Sequence, residues 1–325
     1  MSKTEFMIGY GEGVDDRTTA LGKRLASLLA LCLLWLVIAA VLYVVFVSRT
    51  NHTDFFPRWA GARMALFEAR DPYAETSTRE IQRRVYGSFR QDTQDQQGFA
   101  YPAHVIPLLF PFWLLPMRVA SALWSSLSIM MVVVLVYLLG QVPRRLVWVF
   151  ASVVLIAQVL LVVFQAQFTI FVAACLGIAY WMYTRSYDVI AGALLACATI
   201  KPELVSIPMV VLIVMAVWER RWKLVFTVLL TLLLLVSLSF GITGIWVPRW
   251  LAQISAYQTY AQSVWPVKVL YQHELVSGLV FVILLVLGLK VTRWDRDLVF
   301  ATACVLGLVL IPQTLPYSLV LLLVP

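Results

Sequence analysis

LASLLALCLLWLVIAAVLYVVFV, residues Leu25–Val47, decides the fold class, because the whole stretch carries no charged side chain. About 20 apolar residues in a helix cross roughly 30 Å of hydrocarbon. Lipid offers backbone polar groups no partner, so such a segment must satisfy them through its own helical hydrogen bonds. Leu224–Phe240 and Leu275–Leu289 read the same way. Apolar residues fill 62% of the 325 positions and charged residues 13%. A soluble domain carries about a quarter charged residues, so the composition excludes one. The chain reads as an all-α polytopic integral membrane protein in a single domain, 1–325.

The polar leader, 1–24, precedes an apolar run longer than the core of a secretion signal, with no small-residue cleavage site after it. Leu25–Val47 is therefore expected to stay as an anchor. Cys32, Cys175, Cys197 and Cys304 are scattered through apolar segments without CxxC spacing, which speaks against disulfide or zinc chemistry. The net charge of +8 does not indicate nucleic acid. Its basic residues sort onto short loops: the leader (Lys3, Arg17, Lys23, Arg24), Arg144–Arg145, Arg185, Arg220–Lys223 and Lys290–Arg296. Basic short loops face the cytoplasm, and one arrangement places all five there with the N-terminus.

That arrangement predicts about ten transmembrane helices, near 25–47, 119–139, 147–164, 168–183, 188–200, 204–218, 224–242, 275–289, 298–312 and from 316 onward. The final run stops at Pro325, so the natural chain is expected to continue. Two long segments fall outside, 48–116 and 241–274. In the first, Pro57–Ala69 predicts an interfacial helix with Trp59, Ala62 and Leu66 on one face. Asp71–Pro72 ends it. Ser77 and Glu80 have capping-box spacing for a second short helix ending near Gly87. Ser88–Gly98 reads as a polar loop with nothing to bury. His104–Leu115 is apolar but too short to span and is broken by prolines, so it reads as re-entrant or interfacial. No internal repeat is evident.

Polar chemistry gathers at the tips of short hairpins. From Asp188 to Lys201 the helix is roughly 20 Å long, against roughly 30 Å of hydrocarbon. Lys201–Pro202–Glu203 must then lie below the outer surface, and Gln165–Ala166–Gln167 is similarly placed. An intramembrane charge is a functional-site hypothesis; the plain alternative is a snorkelling lysine paired with Glu203. Asp54, just past the first span, is either the N-cap of the following helix or a headgroup-level acid. His52, His104 and His273 match no zinc spacing and read as interfacial or capping groups. No DxD pair marks a metal site, and neither metal nor cofactor is expected. Arg58 and Arg63 are candidates for a lipid phosphate.

Asp54-Phe55, Ala60-Gly61-Ala62, Asp71-Pro72-Tyr73, Tyr101-Pro102, Ala120–Trp124, Gln167 and Lys201-Pro202 together resemble glycosyltransferase family 87 from about Val47 onward. The chain departs at Ala166 and Thr169, where the family usually has glycine and asparagine, and at Pro312–Tyr317, where a Ser-Pro…His motif is usual. The resemblance implies a GT-C-like bundle with a long first extracytoplasmic loop, a polyprenyl-phosphate sugar donor, often of mannose, and a lipid or glycan acceptor. It implies Asp54 as catalytic base. Lys201, with Arg58 and Arg63, would meet the donor phosphate, and Tyr101, Gln167, Trp265 and His273 the sugar or acceptor. The expected setting is a prokaryotic plasma membrane with the site facing outward. Two other readings stay open. A transporter needs mid-membrane polar groups and often repeated halves. A non-catalytic subunit of a membrane assembly would fit the departures.

Overall fold

The structure, a computed structural model, describes residues 12–46, 54–91, 96–139, 156, 159–260, 295–310 and 321. Every regular element among them is helical. Three helices are long and apolar enough to cross a membrane, through Leu25–Val45, Met117–Leu138 and Trp222–Thr243. They lie in α1 (Glu12–Phe46), α6 (Met117–Leu139) and α10 (Trp222–Thr243). Between the last two stand shorter apolar helices, α7 (Thr169–Thr184), α8 (Asp188–Ala198) and α9 (Pro202–Trp218). At 1.5 Å per residue these measure roughly 24, 17 and 26 Å. The expected spans near 147–164, 275–289 and beyond 316 lie mostly outside the described residues. Three full-length spans stand among the described residues, and the expectation of about ten extends to segments outside them. The first helix also begins earlier than expected, at Glu12, so part of the leader is helical.

α8 is the centre of the bundle and packs on both α7 and α10. Small residues make this possible, since lipid-immersed helices associate through close backbone approach. A Cβ at Gly192 would lie 2.6 Å from the Leu224 carbonyl oxygen, and Ala191 and Ala196 are wholly buried. α9 pairs with α12 (Arg296–Leu310), and α6 with α1. The second pair is tied by the Trp35 indole, which donates to the Leu123 carbonyl at 3.2 Å. Leu28, Leu29, Leu33 and Val44 of α1 are exposed, as a lipid-facing side would be.

Three helix ends in this bundle share one turn. At residues 165–167 the Gln167 N–H reaches the Val162 carbonyl and the Ala166 N–H reaches Val163. At 185–187 Tyr187 bonds Met182 and Ser186 bonds Tyr183; at 219–221 Arg221 bonds Ala216 and Arg220 bonds Val217. This is the paired closure that satisfies a helix's last carbonyls, and its turning residue must be left-handed. Ala166 (φ 49°), Ser186 (φ 64°) and Arg220 (φ 58°) fill that place instead of glycine.

The segment expected as the first outer loop folds into α2 (Phe55–Phe67), α3 (Glu75–Tyr86) and two single turns, α4 (Val105–Leu108) and α5 (Phe110–Leu114). α2 differs from its expectation. Ala62 is fully buried, and the partly exposed stripe is Trp59, Arg63 and Leu66 with exposed Phe67. Gly61 lets Phe99 pack against α2, since a Cβ there would sit 2.5 Å from the Phe99 ring. The capping box is not formed either. α3 starts at Glu75, and the Ser77 hydroxyl donates to the Asp71 carbonyl at 2.7 Å. The Asp71–Pro72 turn has taken Ser77 as its own brace.

Asp71-Pro72-Tyr73 proves to be a clamp. Asp71 Oδ1 accepts from the Tyr73 N–H at 3.0 Å, and Oδ2 pairs with Arg249 at 2.5 Å. The Tyr73 hydroxyl donates to the Tyr101 carbonyl at 2.6 Å. Burial, then the Asp71 charge, pushes this phenol's pKa up, so it stays a donor. Arg249 belongs to α11 (Val247–Tyr260), a helix inside the segment expected as the second outer loop. Trp250 adds a bond to the Ala100 carbonyl at 3.2 Å. Part of the Gln-rich loop is also tied down: Gln82 binds the Gln96 side chain at 2.7 Å and the Arg90 N–H at 3.1 Å.

Candidate active site

Residues from three separate segments meet where α2, α7 and α9 begin. Asp54 takes the N-cap place of α2 but has helical dihedrals (φ −62°, ψ −12°) and forms no side-chain cap bond. Its Oδ2 instead accepts a hydrogen bond from Gln167 Nε2. The other end of that amide, Oε1, accepts from Arg58 Nη2 at 2.9 Å. One fully buried amide therefore links carboxylate to guanidinium and fixes both. Asp54 and Arg58 stand four residues apart, about one helical turn, so both face the same side of the start of α2.

Arg58 is 7% exposed, and its Nε and Nη1 have no hydrogen-bond partner among the described residues. Its charge is held by two aromatic faces, Tyr101 at 4.5 Å and Phe168 at 5.0 Å. Such contacts contribute about 2 kcal/mol when desolvated. They leave the two in-plane N–H groups unsatisfied, at about 1–3 kcal/mol each. The frame around the cluster is aromatic: Phe55, Trp113, Trp124 and Phe168 are all fully buried. Trp124 also donates to the Gln167 carbonyl at 3.2 Å, anchoring the tip that carries the amide.

Lys201 sits just before α9 and is 4% exposed. Its Nζ points inward to Thr169 Oγ1 at 3.1 Å, with Glu203 at 3.8 Å. The snorkelling expectation is corrected on this point, since the ammonium turns toward the start of α7 rather than out along the surface. There Lys201 lies within electrostatic reach of Glu203, Arg58 and Asp54. Thr169, which stands where the resembled family has asparagine, thus keeps a hydrogen-bonding role. The sequence reading had not paired it with Lys201.

Other candidates lie elsewhere. Arg63 is not brought into the cluster: five residues past Arg58 is about 140° further round the helix. Its guanidinium donates to the Trp113 carbonyl at 2.7 Å and lies over the Trp59 and Phe67 rings. Gln167 is placed in the cluster, but with its amide occupied by protein groups. Tyr101 is placed there through its ring. Trp265 and His273 lie outside the described residues. His104 is buried close by, with Nε2 3.1 Å from Thr199 Oγ1. That hydroxyl already donates to the Ala196 carbonyl, so it accepts from His104. The imidazole then carries its proton on Nε2. Among the described residues no group of three His, Cys, Asp or Glu side chains could hold a metal.

The arrangement offers a carboxylate, an oriented amide, a guanidinium with unmet donors and a buried ammonium, within an apolar frame. A carboxylate beside two cations could serve attack by a hydroxyl on a carbon that carries an anionic leaving group. The sequence model of glycosyltransferase family 87 matches residues 99–320, more than half of the chain. Gln167, Thr169 and Lys201 fall inside the matched stretch; Asp54 and Arg58 precede it and join them through the fold. No curated protein and no solved structure matches the chain.

Proposed function

Because the chain belongs to glycosyltransferase family 87 and is on that ground a membrane glycosyltransferase, we propose that it draws its sugar from a polyprenyl-phosphate donor. The sugar is mannose or another pyranose or furanose, and the acceptor is a lipid-linked or glycan hydroxyl at the extracytoplasmic face. The observation that carries this reading is Arg58, a buried guanidinium with two unmet N–H donors one helical turn from a carboxylate. A phosphate oxygen would satisfy either of these donors through a charge-assisted hydrogen bond. The apolar surroundings of the cluster suit a donor whose tail is lipid.

In the proposed reaction Asp54 takes the proton of the acceptor hydroxyl as its oxygen attacks the anomeric carbon. The bond from that carbon to the phosphate oxygen breaks, and the polyprenyl phosphate leaves with the electron pair. Its added negative charge is met by Arg58 and Lys201. Gln167 holds Asp54 in place as a positioning residue, and the Tyr101 ring stacks on Arg58. Incubating the purified full chain with a panel of polyprenyl-phosphate sugars and sugar nucleotides tests the donor class. Transfer or hydrolysis is expected with a polyprenyl-phosphate sugar alone. Use of a sugar nucleotide in preference would overturn the reading.

A further inference from the structure

α7 and α9, which begin beside Gln167 and Lys201, end at a polar cavity on the other side of the bundle. It is about 590 Å³ in volume and lies at the end of α7, the start of α8, the end of α9 and the starts of α10 and α12. α7 and α9 separate it from the Asp54 cluster by roughly 24–26 Å. Four cations line it, Arg220, Arg221, Lys223 and Arg296, against two acids, Asp188 and Glu219.

The acids are already committed. Asp188 pairs with Arg221 at 2.5 Å, and Glu219 with Arg296 at 3.0 Å. Arg221 is held further by the Tyr183 carbonyl at 2.7 Å and the Tyr183 ring at 4.1 Å. Arg220 and Lys223 are exposed and form no ion pair among the described residues. The cavity thus has two surplus positive charges. They sit beside the first turn of α10, which contains no acidic residue, so the helix dipole adds to the positive field instead of offsetting it. Arg220 is held toward this end in a left-handed turn that asks for glycine.

The surroundings indicate where the anion comes from. α10 is one of the membrane-capable helices, and Trp222 is its first residue. Trp218 is 84% and Trp222 49% exposed, and the Arg185 guanidinium stacks on Trp181 at 3.8 Å. Exposed tryptophans at the end of a spanning helix mark the headgroup level. Basic pockets between helices at that level take lipid headgroups.

We propose that this cavity binds a phosphate, that of an anionic phospholipid headgroup in the leaflet opposite Asp54, with Arg220 and Lys223 as its principal contacts. The proposal stands independently of the donor and acceptor assigned above, and its test reads binding rather than transfer.

The full-length protein, purified in neutral detergent, is titrated with phosphatidylglycerol, with phosphatidylcholine and with inorganic phosphate. Retained ligand is read by native mass spectrometry. Phosphatidylglycerol is expected to bind in preference to phosphatidylcholine. R220Q/K223Q should weaken it about 30-fold, the loss of two charge contacts, while R220K/K223R retains it. Hydrogen exchange on the wild type gives an arm that needs no variant: the lipid should protect 184–188 and 219–224. Inorganic phosphate that binds with the same charge dependence while phosphatidylglycerol shows no preference would keep the phosphate site and make the source soluble. If R220Q/K223Q holds phosphatidylglycerol as tightly as wild type, or if neither ligand protects those two segments, the proposal is wrong.

Discussion

At Lys201 the side chain turns into the bundle, donates to Thr169 and stays 4% exposed. This buried ammonium, with a carboxylate at 3.8 Å, is the group proposed to meet the donor phosphate. Lys201→Met should lower kcat/KM by about 10²-fold, the usual cost of one charge-stabilising donor, with the protein still folded. Lys201→Arg should recover only part, because a planar guanidinium does not reproduce a compact ammonium. Transfer by Lys201→Met at the wild-type rate, measured with a polyprenyl-phosphate sugar, would remove Lys201 from the phosphate site. At this scale the sequence singled out Asp54, Gln167 and Lys201 one at a time, with a plain alternative beside Asp54 and Lys201. What it could not provide was their pairing. The Gln167 amide joins Asp54 and Arg58 across more than a hundred residues, and no local pattern encodes such a contact. Arg63 falls outside the cluster for the converse reason: its proximity in sequence to Arg58 conceals their angular separation on α2.

Helices and turns were more legible, because apolar length is a local property. The helices expected at 119–139, 168–183, 188–200, 204–218 and 224–242 correspond to α6 through α10 within a few residues, and α6 and α10 have spanning length. α11 was missed because its stretch is rich in Trp, Tyr and Gln and too polar to read as a span, yet the clamp from Asp71 to Arg249 docks it on the first segment. The left-handed turn at Ala166 makes a testable point. A Cβ at φ 49° is strained, and a glycine there relieves it. Ala166→Gly should therefore stabilise by about 0.5–1 kcal/mol, read as a higher Tm at fixed scan rate. A lower Tm would mean that the turn is held by contacts of the Ala166 methyl group, which is fully buried. Gly192 predicts the opposite sign. Any side chain there meets the α10 backbone, so Gly192→Val should cost about 1–3 kcal/mol as an overpacked helix contact.

For the molecule as a whole, the two ends of the α7–α10 bundle differ in charge and chemistry. One end holds Asp54, Arg58, Gln167 and Lys201; the other collects Arg185, Arg220, Arg221, Lys223 and Arg296. Basic short loops select the cytoplasmic side, which would set the Asp54 end outside. Cysteines introduced at the exposed positions Gln91 and Arg185 should then respond differently to an impermeant thiol reagent in intact cells. Labelling is expected at Gln91 and not at Arg185, and the reverse would invert the orientation. A transporter is often built from repeated halves, and no internal repeat is evident in the sequence. The central claim is that Asp54 acts as a base rather than as a helix cap. The missing cap bond and the Gln167 contact support this. Asparagine caps about as well as aspartate but cannot take a proton. Single-turnover sugar transfer by Asp54→Asn, run beside a thermal-unfolding control, tests the claim most directly. The account predicts an unchanged Tm, intact donor binding and a rate at least about 10²-fold lower; a well-folded Asp54→Asn protein that transfers sugar at the wild-type rate would contradict it.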